Sequence, residues 1–406
     1  MRAFFSMAIL YLFYYFCKYN LSTATPGIKK EFGIDYTNFG WIITAFTLTY
    51  AVGQFINGFL GDRYGPKLIL IIGGLGGVAM NVCFGLSSGL AFFVIFWTFN
   101  AYFSSCGWAP GSRIMFNWFP EKQWGVWMGV YNALCYSGAF LVFIVATFAI
   151  DKWGWRAAFF VCPAFLLAMT IVFFILGRNS PQEAGLQPPW EQKKEEKPAK
   201  RIGAEEYWFV FIHRKMNLAY LSGFGASFVR WGILSWMVTI LQEPIDVGGF
   251  GLSLKAAGLI TALASLSAAI LSLLLGFVTD RVFKGLRWQT ICIGCILGSL
   301  PLFYVAKGAV ILTYPFGLFF LGLAIFWSGG LIQAIQTPLF ALAGDLLGKE
   351  LSGTGVGIMD GWMYLGAAFA GVFLGWWLDH FGLTSGIMLM AIVSMVSGLL
   401  AIPIQK

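Results

Sequence analysis

Apolar residues in this chain run in long unbroken blocks separated by short clusters of charge, glycine and proline. Twelve such blocks lie near 3–25, 38–60, 68–88, 90–116, 124–150, 156–177, 216–241, 253–279, 288–308, 310–340, 352–378 and 381–403. A helix rising 1.5 Å per residue needs about 20 residues to cross a hydrocarbon layer roughly 30 Å thick, and each block meets that length. Each therefore predicts a membrane-spanning helix. The segment Arg178 to Lys215 interrupts the series; its PQEAGLQPPWEQKKEEKPAKR is rich in Pro, Glu and Lys and has no apolar period, as a linker would be. The pattern predicts an all-α membrane protein: a six-helix bundle over 1–177, a linker over 178–215, and a second, pseudo-symmetric six-helix bundle over 216–406.

Composition agrees. Residues are 59% hydrophobic and 11% charged, whereas soluble domains carry about 25% charged residues. The solvent of this chain is lipid. The net charge of +8 would suggest nucleic acid in a soluble protein, but in a membrane protein the placement of the cations matters more than their sum. With the linker taken as cytoplasmic, eighteen Lys and Arg fall on that side and six on the other, while Lys18 and Arg230 lie within spans. Both termini and the linker are thus expected inside, in a bacterial cytoplasmic membrane, with no nucleic-acid partner. The N-terminal MRAFFSMAILYLFYYF resembles a signal peptide but lacks a small-residue cleavage site and continues past Lys18, so it reads as the first span.

The seven cysteines all fall inside apolar blocks, which predicts neither disulfides nor a metal site; Cys292 and Cys295 have redox-motif spacing but sit in a hydrophobic helix without a flanking strand. The histidines, His213 and His380, lie at membrane edges with no nucleophile or metal set around them. Neither an enzyme nor a cofactor is expected, and the expected unit is a monomer.

The two halves repeat. After the second block comes Gly58-Phe-Leu-Gly-Asp62-Arg63-Tyr-Gly65-Pro-Lys67, and after the eighth Gly276-Phe-Val-Thr-Asp280-Arg281-Val-Phe-Lys284-Gly285. Each Asp-Arg pair sits at a helix end where it can bridge neighbours in one state and release them in another. A charged turn alone would be ordinary; two copies after equivalent helices mark a transporter built from a duplicated half. In this motif and in its twelve blocks the chain resembles the major facilitator superfamily. That resemblance implies two bundles around a central cavity open alternately to each side.

A charge at mid-membrane costs at least about 2.5–3.5 kcal/mol even on insertion scales, so Lys18 in the first span and Arg230 in the seventh need a reason. They occupy corresponding places in the two halves and could grip one anion, the guanidinium by a fork and the ammonium as a point charge. The structural alternatives are that Lys18 snorkels to the interface and that Arg230 pairs with a buried acid. Asp360 is the clear intramembrane acid, readable as a counter-ion, a proton-coupling group or a helix-end residue. Tyr11, Tyr14, Tyr15 and Lys18 recur at helical spacing, which would put hydroxyls beside the ammonium; packing of aromatics is the rival reading.

Within the superfamily the chain resembles the organophosphate:phosphate antiporters. The residues that carry the resemblance are YLFYYFCKYN from Tyr11 to Asn20, Gly107-Trp108-Ala-Pro110-Gly111 through Trp118-Phe119-Pro120, Ser180-Pro181-Gln182-Glu-Ala-Gly185-Leu186, and Arg230-Trp-Gly232-Ile233-Leu234-Ser-Trp236. It implies that Lys18, where an Arg is usual, and Arg230 bind phosphate, and that Tyr11, Tyr15, Tyr50, Asn132 and Tyr364 line the pocket. Gln54 stands where many such antiporters carry a Lys, and Cys135 where the glycerol-3-phosphate transporters have a His. Fewer cations imply a less highly charged anion. The expected function is exchange of a small organic anion, an organophosphate, for inorganic phosphate. The alternatives are a proton- or sodium-coupled symporter of carboxylates or sulfonates, and a transporter-like membrane sensor.

Overall fold

The computed structural model describes residues 2–119, 124–186, 204–283 and 286–404. Among these residues every regular element is helical. In chain order the α-helices are α1 (Arg2–Phe32), α2 (Tyr36–Tyr64), α3 (Pro66–Leu86), α4 (Leu90–Ser105), α5 (Trp108–Trp118), α6 (Trp124–Trp153), α7 (Ala158–Leu176), α8 (Ala204–Ile212), α9 (Arg214–Gln242), α10 (Leu254–Phe277), α11 (Arg287–Val305), α12 (Gly317–Ala334), α13 (Gln336–Phe369), α14 (Val372–Phe381) and α15 (Leu383–Leu399). A π-turn over Val278–Val282 continues α10. Ten helical stretches among the described residues are long and apolar enough to cross a membrane. Helices α1 and α2 are long enough too, but Lys18, Asn20, Thr23 and Thr25 in α1 and Thr44, Thr47, Gln54 and Asn57 in α2 dilute their hydropathy.

Two details differ from the sequence reading. The fourth block is interrupted at Cys106–Gly107, where α4 ends and α5 begins. The predicted linker contains a helix, α8, over residues whose apolar pattern the linker reading passed over. The charges near 345–350 separate the tenth span from the eleventh as expected: α13 folds back on itself there, bringing Gly355 against Ala343 and Leu347. Further breaks come at Ile335 and at Ala370–Gly371.

The chain divides into two compact units, one of Met1–Gly27 with Ala45–Arg201, the other of Ile28–Thr44 with Ile202–Lys406. Helices α1 and α2 thus begin or end in different units, and Pro26, which cannot donate to the Ser22 carbonyl, sits where α1 crosses over.

In the first unit, α1 is held by side-chain amides rather than by apolar contact alone. Asn20 donates to Asn81 Oδ1 (2.9 Å), Asn81 donates to Asn100 Oδ1 (3.0 Å), and Asn100 donates to the Cys17 carbonyl (2.8 Å). All three asparagines are fully buried. In a lipid-embedded bundle such polar bridges and small residues take over from the hydrophobic effect. Gly65 (φ 89°) turns the chain between α2 and α3, with Pro66 placed at the first position of α3.

In the second unit, α10 and α12 pack closely through Gly329 against Ala264 and Gly330 against Ser267, and Gln333 donates to the Ala264 carbonyl (3.1 Å). Helices α9 and α13 run parallel: Tyr220 stacks on Trp362, and Phe224 meets Phe369 edge to face, its carbonyl lying over Gly366. At the Ala370–Gly371 break the Thr44 hydroxyl enters the helix ladder. It donates to the Ala368 carbonyl (2.7 Å) and accepts from Val372 N–H (3.0 Å), groups that would bond each other in an unbroken helix. Trp236 Nε1–H caps the Ala370 carbonyl (2.8 Å).

Candidate functional site

In the first unit, one face of α1 carries Tyr11, Tyr15 and Lys18, three to four residues apart and so on neighbouring turns. The Lys18 ammonium is buried, 8% exposed. It lies 4.0 Å from the centroid of the Tyr50 ring, with Tyr15, Tyr19 and Phe46 within 6 Å. Ring faces offset part of the desolvation of such a cation. Tyr11 and Tyr50 bring their hydroxyls within 3.2 Å of each other. The Cys135 thiol, on α6, hydrogen-bonds to Tyr15 and feels the charge of Lys18. The predicted Lys18, Tyr11, Tyr15 and Tyr50 thus form one cluster. Tyr14 does not join it, because its hydroxyl donates to the Leu70 carbonyl on α3.

The glycines of the Gly107 to Gly111 motif explain how aromatic rings of this size fit. A Cβ at Gly107 would strike the Tyr11 ring, and one at Gly111 the Tyr131 hydroxyl. Tyr131 in turn packs on Tyr11 and stacks on Trp108 at 5.2 Å. Phe46, Tyr19 and Tyr131 were not singled out from the sequence; their only signal was helical spacing from Tyr50, Tyr15 and Cys135, which aromatic richness elsewhere obscures. Asn132 is half-buried beside Tyr131 on α6. Gln54 follows Tyr50 by one turn of α2, and its Oε1 is buried without a hydrogen-bond partner.

In the second unit, Arg230 is partly buried near the middle of α9, the most deeply buried span. Gly232 lets Met390 and Leu374 close onto α9 just beyond it. Asp360 and Tyr364, one turn apart on α13, lie at a different level. The pairing of Tyr220 with Trp362 and of Phe224 with Phe369 sets Asp360 beside the start of α9, some 18 Å along the helix axis from Arg230.

Of the repeated motif, the side chains of Gly58, Asp62, Arg63, Asp280 and Arg281 lie outside the described residues. Lys67 N–H donates to Asn179 Oδ1 (2.7 Å), and Asn179 Nδ2 donates to Glu183 (2.8 Å). Trp118 Nε1–H and Asn117 Nδ2 donate to the Arg178 and Asn179 carbonyls, so Arg178 and Asn179, just before the Ser180 to Leu186 motif, tie the α2–α3 turn to the end of α5. Among the described residues no cluster of His, Cys, Asp or Glu could hold a metal ion.

A second polar cluster belongs to the second unit alone. Asp35 caps α2, accepting from Asn38 N–H (2.6 Å), and the Asp379 carboxylate accepts from Tyr36 N–H (3.0 Å), Thr37 N–H (2.6 Å) and the Thr37 hydroxyl (2.5 Å). Two carboxylates therefore meet the positive end of one helix. Beside them the Tyr36 hydroxyl donates to Glu243 (2.8 Å), and Lys29, over the Tyr36 ring, lies 4.0 Å from the same carboxylate. Burial pushes the Lys29 amine down to about 8 despite the pull of Glu243, Asp379 and Asp35. Burial, then Glu243, pushes the Tyr36 hydroxyl up.

Comparison with known proteins extends this picture. A family model described as Major Facilitator Superfamily matches residues 7–370 and 250–405. The chain is 28% identical over 395 residues to a protein of Chlamydia trachomatis named "Probable hexose phosphate transport protein", covering 92% of this chain and 84% of that one. It is 25% identical over 409 residues to the "Glycerol-3-phosphate transporter" of Bacillus subtilis, covering 96% and 88%. Among solved structures, a bacterial homologue of the human lysosomal transporter Spinster, inward-facing and unoccupied, shares the fold with a TM-score of 0.79 at 15% identity, over 99% of this chain and 94% of that one.

Proposed function

We propose that this chain, which belongs to the Major Facilitator Superfamily, is a secondary transporter that exchanges an organophosphate for inorganic phosphate by alternating access. The observation that carries the reading is the Lys18 ammonium, buried among Tyr15, Tyr19, Phe46 and Tyr50 with the Tyr11 and Tyr50 hydroxyls on the same face. A cation held in so little water attracts a phosphoryl oxygen far more strongly than one at the surface. The similarity to proteins named as hexose phosphate and glycerol-3-phosphate transporters supports the same ligand class.

In this reading Lys18 binds one phosphoryl oxygen and the tyrosine hydroxyls donate to others. Arg230, at the matching place in the second half, supplies the bidentate contact. Gln54 Oε1, an acceptor without a partner, receives a hydroxyl of the organic moiety. Asp360, about 18 Å along the helix axis from Arg230, serves coupling rather than neutralising that guanidinium. Asn132 and Tyr364 line the path. The repeated Gly58, Asp62, Arg63, Gly65, Lys67 motif and Asp280 with Arg281 govern the conformational exchange. The protein works as a monomer in a bacterial cytoplasmic membrane with both termini inside. Ligand drives the cycle only by binding the occluded state more tightly than the open ones.

Liposomes loaded with phosphate test the exchange: external glycerol phosphate or hexose phosphate should release internal phosphate, and Lys18→Ala or Arg230→Ala should abolish both release and the ligand-induced rise in melting temperature. Uptake that follows an imposed proton or sodium gradient without internal phosphate would replace antiport by symport. Binding without flux would replace transport by sensing.

A further inference from the structure

Helix α8 is nine residues long, about 14 Å, and cannot cross a bilayer. Its inward side is Val210, fully buried in a cluster with Met216, Ala219, Tyr220 and Leu342, and the Tyr220 hydroxyl donates to the Val210 carbonyl at 3.2 Å. At 100° per residue, Trp208, Phe209, Phe211 and Ile212 fall on an arc of roughly 160° centred opposite Val210. They are 61%, 52%, 39% and 52% exposed. Trp208 and Phe211 stack on each other at 5.7 Å, so the outward face is ordered rather than a set of loose side chains. Only His213 separates this helix from the spanning helix α9; its Nδ1 accepts from Met216 N–H and caps the new helix. The apolar arc is therefore held within one residue of a membrane boundary, and Arg214 and Lys215 follow directly.

We propose that α8 is an interfacial helix that binds the surface of an anionic phospholipid leaflet, with its Trp208 to Ile212 arc in the acyl boundary and Arg214 and Lys215 on headgroup phosphates. Charge and position together select this partner. The arc is apolar throughout and ends one residue before a helix long and apolar enough to span. Aromatic rings with a polar edge settle at a membrane–water interface, and basic residues at the foot of a span complement anionic headgroups. Tying α8 to the leaflet fixes the start of α9, the helix that carries Arg230, so lipid composition acts on the second unit. This inference stands whatever the transported solute.

Spin labels on Trp208→Cys, Phe211→Cys and Ile212→Cys, in the full chain in liposomes of phosphatidylethanolamine and phosphatidylglycerol, test it directly. The labelled wild-type chain supplies the background, its seven cysteines being buried or half-buried. Collisions with oxygen should exceed those with a water-soluble nickel chelate at all three positions, and the order should reverse at the exposed Glu183→Cys. Labels wetted by the chelate, or shielded from both reagents by a protein, would overturn the proposal. In a second arm, moving the wild-type protein from zwitterionic to anionic vesicles should raise its melting temperature, and Arg214→Gln with Lys215→Gln should at least halve that rise. No rise in the wild type, or an undiminished one in the double variant, would overturn the headgroup part.

Discussion

Replacing Thr44 by Val removes one oxygen from the second unit and keeps the shape of the side chain. That oxygen both donates to the Ala368 carbonyl (2.7 Å) and accepts from Val372 N–H (3.0 Å) at the break between α13 and α14. Thr44 is 6% exposed, so water does not readily replace it. A neutral hydrogen bond contributes about 1 kcal/mol net, and each buried group left unpaired costs about 1–3 kcal/mol. Two orphaned backbone groups thus cost about 2–6 kcal/mol, less whatever the helix regains by straightening so that Ala368 and Val372 bond each other. Straightening is opposed because Gly40 and Gly371 approach so closely that a Cβ on either would strike the other's backbone. On the scale of a domain of about 200 residues the loss corresponds to a melting temperature lower by roughly 4–24 °C. Thr44→Ser, which keeps the hydroxyl, should melt close to the wild type. If Thr44→Val and Thr44→Ser melt together at the wild-type temperature, the hydroxyl does not hold the break.

Asp379→Ala should speed hydrogen exchange at the Tyr36 and Thr37 amides about 5- to 30-fold, the equivalent of losing a helix cap worth about 1–2 kcal/mol, and leave the Asn38 amide, bound by Asp35, less affected. For Lys29 the folded molecule releases its proton near pH 8 and the unfolded chain near its ordinary 10.5, so between those values the unfolded state holds more protons. Stability should therefore rise with pH across about 8 to 10.5, and a Lys29→Met variant should show a flatter profile in that window. Gln54→Leu should weaken a hydroxylated organophosphate roughly 5- to 10-fold in exchange assays, the size of one neutral hydrogen bond, and leave the KM for inorganic phosphate unchanged.

The transmembrane plan was legible because it depends on a one-dimensional quantity, the length of an apolar run. Lys18 was legible for a related reason: an ammonium inside such a run is rare enough to stand out from a single sequence. Its surroundings were only half visible. Tyr11 and Tyr15 share its helix, so spacing alone put them beside it, and Tyr50 came from family resemblance. Phe46 and Tyr131 approach from α2 and α6, and nothing local to those helices distinguishes a ring that meets Lys18 from one that meets another ring. Helix breaks were least visible. The sequence around Ala370 reads as continuous apolar helix because the partner that takes the ladder's bonds is Thr44, more than three hundred residues earlier.

The same reasoning explains why residues 28–44 sit with the second unit although they come from the first half of the sequence. An isolated helix end exposes backbone N–H groups that lipid cannot satisfy. At the start of α2 those groups find Asp379, and the Thr44 hydroxyl exchanges bonds with the backbone at the foot of α14. Packing adds to these bonds: Tyr36 and Phe39 meet the Trp236 ring edge to face, and Gly40 lies against the backbone of Gly371. The segment is thus held in the second unit both by partners for its backbone groups and by a close-packed helix face, and Thr44 belongs to both.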